Sequence, residues 1–199
     1  MIIAITGGIG SGKSYVCQIL AMRGIKVYDC DAHAKLLMRT SIQLQKNLKL
    51  LVGEHVYKEG VLQKAVLADY LLRDDAHVQA VNNIIHPAVA RDFEQSGMSW
   101  IESAILFDSR FYERTHIDKV VCVTAPIEVR IQRVMQRDAI SREKTLDWIN
   151  RQLPQEEVLK RSDYEIINDG IQSLDQQIDS LLTQNYLPQR TIPKNKESY

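Results

Sequence analysis

The chain has 199 residues, 45% of them hydrophobic, enough to bury a core in one globular domain with room for a smaller inserted module. Lysines and arginines number 25 and acids 25, a formal net charge of +0 that argues against a broad nucleic-acid or membrane-surface footprint. No apolar run reaches the roughly 20 residues of a membrane span, and the opening six residues have no basic signal segment. Three scattered cysteines (Cys17, Cys30, Cys122) lack metal spacing and read as buried free thiols, so a cytoplasmic location is expected.

Residues 2–6 are a short β-branched apolar run, which predicts a buried strand. It runs into Gly7-Gly8-Ile9-Gly10-Ser11-Gly12-Lys13-Ser14, where Gly7, four residues and Gly12-Lys13-Ser14 have the spacing of a phosphate-binding loop. Glycines let backbone N–H groups turn inward around phosphate oxygens. Lys13 can neutralise the β and γ phosphates, and the Ser14 hydroxyl can ligate Mg²⁺. Val16, Ile19 and Leu20 then recur at helical spacing from Lys13 to about Met22, and Gly24 stops the helix. Residues 25–28 predict a second strand, ending at Asp29-Cys30-Asp31. Strand, glycine loop, helix and strand make a βαβ unit with a right-handed crossover, the setting a phosphate loop requires.

If the chain is still extended at Asp29 and Asp31, both carboxylates point to one side. One would accept the proton of an attacking hydroxyl while the other holds Mg²⁺ through water; the competing reading is that one caps the next helix. Asp31 is the expected base. A carboxylate is a weak base for an alcohol, but a loose phosphoryl-transfer transition state gives up the proton late.

Residues 32–97 predict helices and no strand. Leu36, Leu37, Leu44 and Leu48 mark one stretch; Val66, Leu67 and Leu71 a second; Val78, Val81, Ile84 and Ile85 a third. His86-Pro87 ends the third helix, and Pro87 opens a fourth over residues 88–95, closed by Gly97. His86 reads equally as packing or as substrate contact. A crossover needs one helix, so several imply an inserted helical module.

The sheet resumes over residues 99–107, a strand ending at Asp108, and over 119–124, stopped by Ala125-Pro126. A helix from Ile127 carries Arg130, Arg133 and Arg137 at i, i+3 and i+7, one face. A second helix starts near Ser141, with Glu143 in its first turn. Such a hairpin is either a solvated basic face or a lid whose guanidinium groups stabilise a transferring phosphoryl; Arg137 is the foremost candidate. A last strand over 164–167 ends at Asn168-Asp169-Gly170, and a final helix covers 174–182. The expected architecture is α/β: a P-loop NTPase-type parallel sheet of about five strands flanked by helices. Its core comprises residues 1–31, 98–125 and 161–186; the helical module is 32–97, the lid 126–160, and 187–199 a frayed or disordered tail.

Val123-Thr124-Ala125-Pro126 stands where a GTPase carries its guanine-reading motif, which leaves a small-molecule kinase. The glycine loop, Asp29-x-Asp31, Ile85-His86-Pro87, Leu106-Phe107 plus an acid, Gln136-Arg137-Asp138 and Ile167-Asn168-Asp169-Gly170 together resemble the dephospho-CoA kinase family, over residues 1 to about 182. The resemblance implies transfer of the ATP γ-phosphoryl to the ribose 3′-hydroxyl of dephospho-CoA, the last step of coenzyme A synthesis, with Mg²⁺ at Ser14. Asp31 matches the family's general base, acting with Lys13 and Arg137. Gly10, Ser11, Gly12, Lys13, Ser14, Tyr15 and Asn168 are expected at ATP, and Asp29 and His86 at the acceptor. Partners beyond these small molecules are not expected: no nucleic acid, no membrane, and a monomer or homo-oligomer. Tyr15, Cys30, Ala104 and Asp108 replace the usual Thr, Ala, Pro and Glu, without removing a group the chemistry requires. The alternatives are a nucleoside monophosphate or shikimate type of kinase, and a nucleotide-binding regulatory module with no transfer activity.

Overall fold

Ile3, Ala4, Ile5 and Thr6 are all buried, as a strand requires when both faces of its sheet are covered. The structure, a computed structural model, describes residues 1–109 and 111–184; the tail expected over 187–199 lies outside the described residues. In chain order the elements are β1 (Ile3–Thr6), α1 (Lys13–Met22), β2 (Val27–Asp29), α2 (Cys30–Thr40), α3 (Ile42–Val52) and a 3₁₀ turn (Glu54–Val56). Then come β3 (Tyr57–Lys58), β4 (Val61–Leu62), α4 (Lys64–Leu71), α5 (Asp75–Ser96), β5 (Trp100–Glu102) and α6 (Phe111–Arg114). The chain continues through β6 (Lys119–Thr124), α7 (Ile127–Asp138), α8 (Arg142–Asn150), α9 (Gln155–Lys160), β7 (Tyr164–Ile167) and α10 (Leu174–Gln184).

Five strands pair in parallel in the order β2-β5-β1-β6-β7, with β1 at the centre. Alternating side chains feed two cores. Ala4, Tyr28, Ile101 and Val120 pack toward α2 to α5, whereas Ile3, Ile5, Val121, Val123 and Ile166 pack against α1 and α10. This order puts the loop after β1 beside the ends of β5 and β6, so the carboxyl ends of the strands converge on it.

Three expectations need correction. The helical module contains a two-stranded hairpin, β3 with β4, turned by Glu59 (φ 50°) and Gly60 (φ 77°). The strand expected over 99–107 is only β5: the apolar run after it, with Leu106 fully buried, packs as a turn. Third, Pro87 opens no new helix, because α5 runs unbroken for 22 residues to Gly97 (φ 67°). An interior proline costs a helix about 3 kcal/mol. Val81, Ile85, Val89, Ala90 and Phe93 are buried along α5 on either side of it, and a large apolar side chain returns about 1.5–3 kcal/mol. Packing therefore wins over local propensity.

Candidate active site

The loop between β1 and α1 is held by its carbonyls. Arg130 Nε donates to Ile9 O (2.9 Å), Asn168 Nδ2 donates to Ser11 O (2.9 Å), and Arg133 donates to Gly10 O, Ser11 O and Asn168 Oδ1 (3.4, 3.4 and 3.1 Å). In a trans peptide the N–H points opposite to the C=O. Tying back the Ile9 and Ser11 carbonyls thus turns the Gly10 and Gly12 N–H groups away from α7, on the side that lines a cleft of about 830 Å³. A Cβ at Gly12 (φ 93°) would collide with the Asn168 amide, and one at Gly10 (φ 78°) would stand 2.6 Å from Arg130 O. Gln152, just after α8, accepts through Oε1 from Ile9 N (2.7 Å).

Lys13 opens α1 and is buried. Its Nζ lies 3.4 Å from Gly8 O and 3.9 Å from Glu102 Oε1. Burial drives its pKa down, against the pull of Glu102 and Asp31. Burial also pushes Glu102 up to about 7; Lys13 opposes the rise while Asp29 and Asp31 add to it. Both shifts run against the charged form, so the attraction across 3.9 Å does not offset desolvation of the pair. A phosphate entering beside Lys13 would restore the missing counter-charge.

The extended chain expected across Asp29 and Asp31 is corrected too: α2 begins at Cys30, and Asp29 caps it by accepting from Ala32 N (2.9 Å). Asp31 sits in the first turn of α2, and both carboxylates line the cleft. With them are Gly10, Gly12, Lys13, Ser14 and Arg137 from the expected set. The Arg137 guanidinium forks onto Asp138 (3.0 and 2.7 Å) and is largely exposed. Four expected residues do not line this cleft. Ser11 is fully buried beneath the loop, the Tyr15 ring stands in solvent at 56% exposure, and Asn168 braces the loop from behind. His86 lines a second cavity with Asp108, which lies in the turn after β5 rather than ending the strand.

Glu102, Lys35, Arg39 and Gln152 also line the cleft and were not expected there. Lys35 and Arg39 follow Asp31 at i+4 and i+8, a helical spacing that was readable. Glu102 was hidden because the strand was drawn past it.

Comparison with known proteins decides the family. A profile described as dephospho-CoA kinase matches residues 1–173. A dephospho-CoA kinase of Bacteroides fragilis is 41% identical over 187 residues, 90% of each chain. The chain belongs to the dephospho-CoA kinase family. It is therefore an enzyme of the kinase class. A crystal structure from Thermus thermophilus aligns at TM-score 0.79 and 31% identity, covering 94% of this chain and 98% of that one. A shikimate kinase from Acinetobacter baumannii aligns at TM-score 0.54 and 16% identity, covering 94% of each chain, which is a likeness of fold alone. Dephospho-CoA kinase membership is thus favoured over the other small-molecule kinases.

Proposed function

We propose that this chain transfers the γ-phosphoryl group of ATP to the ribose 3′-hydroxyl of dephospho-CoA, giving coenzyme A and ADP in the last step of coenzyme A biosynthesis. The observation that carries the reading is that Asp31 faces the same cleft as the phosphate loop while Asp29 is occupied as a helix cap. The acceptor oxygen attacks the γ-phosphorus in line, the bond to the β–γ bridging oxygen breaks, and the hydroxyl proton passes to an Asp31 carboxylate oxygen. The Gly10 and Gly12 N–H groups and Lys13 Nζ bind the phosphates, and Arg137 stabilises charge on the transferring group. The bracing of the loop by Arg130, Arg133 and Asn168 holds those donors in place before substrate arrives. The supporting fact is that all three side chains bond to loop carbonyls.

Mg²⁺, when bound, would neutralise charge on the β and γ phosphates. Ser14, Asp29 and Glu102 give hard oxygen donors on one cleft, a set that fits a cation held mainly by phosphate and water. Among the described residues no three acids, histidines or cysteines build a complete protein cage. Asn168, Ser11 and Tyr15 serve ATP through the loop backbone rather than by side-chain contact. Among the described residues no helix is long and apolar enough to cross a membrane; a cytoplasmic enzyme, monomer or homo-oligomer, is the reading we adopt.

The test is to incubate the protein with ATP, Mg²⁺ and dephospho-CoA, and to locate the new phosphate by ³¹P NMR. A 3′-phosphate on the ribose is expected. Transfer to shikimate or a nucleoside monophosphate, with none to dephospho-CoA, would overturn the proposal.

A further inference from the structure

Asp31 is carried in the first turn of α2, a helix with a thin apolar seat. Of its 11 residues only Cys30 is buried, with Ala34, Leu37 and Met38 partly buried on the same face. Residues two apart in an α-helix stand about 200° apart around its axis, so His33 lies on the far side of α2 from Asp31. There its ring stacks on the fully buried ring of Tyr28, centroids 3.8 Å apart, and Tyr28 meets Phe93 of α5 edge-on at 5.2 Å. A single carboxylate oxygen closes the group. Asp92 Oδ2, on α5, accepts from the Tyr28 hydroxyl (2.7 Å) and lies 2.9 Å from His33 Nδ1. A carboxylate only accepts, so it is Nδ1 of that ring that carries the donated proton. Burial, and then Asp92 itself, push the Tyr28 hydroxyl well above its ordinary pKa, which keeps it a donor. Tyr28 immediately precedes Asp29 and His33 follows Asp31 by two, so one oxygen of α5 grips the chain on both sides of the aspartate pair. None of Tyr28, His33 and Asp92 lines the cleft.

We propose that Asp92 is a positioning residue: through His33 and Tyr28 it fixes the rotation of α2 that turns Asp31 into the cleft. The inference rests on Asp31 being the base of the proposed reaction. The sheet does not supply this hold, because β2 ends at Asp29 and the base belongs to the helix that follows. Side chains reach about 5–6 Å from a helix axis, so a rotation of about 10° moves the Asp31 carboxylate by about 1 Å. A misplacement of that size costs about 10²-fold in rate. Contacts on the cleft side cannot set the angle without obstructing the substrates, whereas a grip on the opposite side of α2 can.

The experiment is a double-mutant cycle: kcat with radiolabelled ATP for wild type, Asp92→Ala, Asp31→Asn and the pair together, with ATP affinity by titration. Alanine raises helix propensity within α5, and the Tyr28 hydroxyl keeps the Val89 carbonyl (3.3 Å), so no buried donor is stranded. His33→Ala, which opens only the α2 end of the grip, is a second variant carried through the same cycle. Each alone lowers kcat by about 10–10²-fold with ATP affinity unchanged. In the Asp31→Asn background neither costs anything further, because the group they aim is gone. Equal losses in both backgrounds would mark a general effect on folding and overturn the inference, leaving the proposed function standing. An unchanged kcat in both single variants does the same. Asp31→Asn nearly as fast as wild type overturns the base and this inference together. Wild type that makes no coenzyme A overturns the function proposal, and this inference with it.

Discussion

Asn168 ties the phosphate loop to α7 but does not itself line the cleft. Its amide donates to Ser11 O and accepts from Arg133, and a side chain at Gly12 would run into it. Asn168→Ala leaves Ser11 O with only a 3.4 Å bond to Arg133 in a buried setting. We expect a loss of about 1–3 kcal/mol in urea unfolding and weaker ATP binding by calorimetry. Unchanged stability and affinity would contradict the bracing role. Glu102 makes a pH-dependent prediction. Its folded pKa of about 7 lies above the ordinary 4.5, so the native state holds more protons than the unfolded state between those values, and stability falls as pH rises through them. Glu102→Gln removes that slope. Its thermal midpoint should gain on wild type from about pH 5 to about pH 8, whatever the constant offset from stranding Lys13. A gap that stays flat or narrows would contradict the buried acid. Asn168 was singled out by its motif, whereas Glu102 was not, because no local signal separates a strand's last residue from the apolar turn that follows.

Among the elements, α7 both braces the loop and lines the cleft. Its stripe of Arg130, Arg133 and Arg137 was readable at helical spacing, but which arginine meets the loop was not. Arg130 and Arg133 turn to loop carbonyls while Arg133 and Arg137 line the cleft, a division set by how α7 lies against the loop, which spacing does not encode. The β3–β4 hairpin escaped notice for a different reason. Each strand has two residues, and the turn is Glu-Gly rather than the Asn-Gly or Asp-Gly that marks such a turn. The α5 helix shows tertiary packing overriding a breaker. Pro87→Ala would restore a donor for the Asn83 carbonyl and relieve the ring clash, while loosening the unfolded chain by about 0.4–1 kcal/mol. A net gain of about 1 kcal/mol is expected in the urea midpoint; a loss would show that the proline fits α5 without strain.

For the whole molecule, the β-α-β opening and the strands at 119–124 and 164–167 made the parallel α/β class legible, because buried parallel strands are near-continuous apolar runs. The strand order β2-β5-β1-β6-β7 is what gathers distant chain segments at one cleft. Lys13 follows β1, Asp29 and Asp31 stand at the end of β2 and the start of α2, Glu102 ends β5, and Arg137 arrives on the helix after β6. That convergence is the basis for reading one centre from four stretches of sequence. The decisive measurement is coupled ADP release with ATP, Mg²⁺ and dephospho-CoA, for wild type and Asp31→Asn, beside a direct ATP-binding titration. Losing the proton acceptor should lower kcat by about 10²–10⁴ while ATP still binds. A variant nearly as fast as wild type would contradict Asp31 as the base.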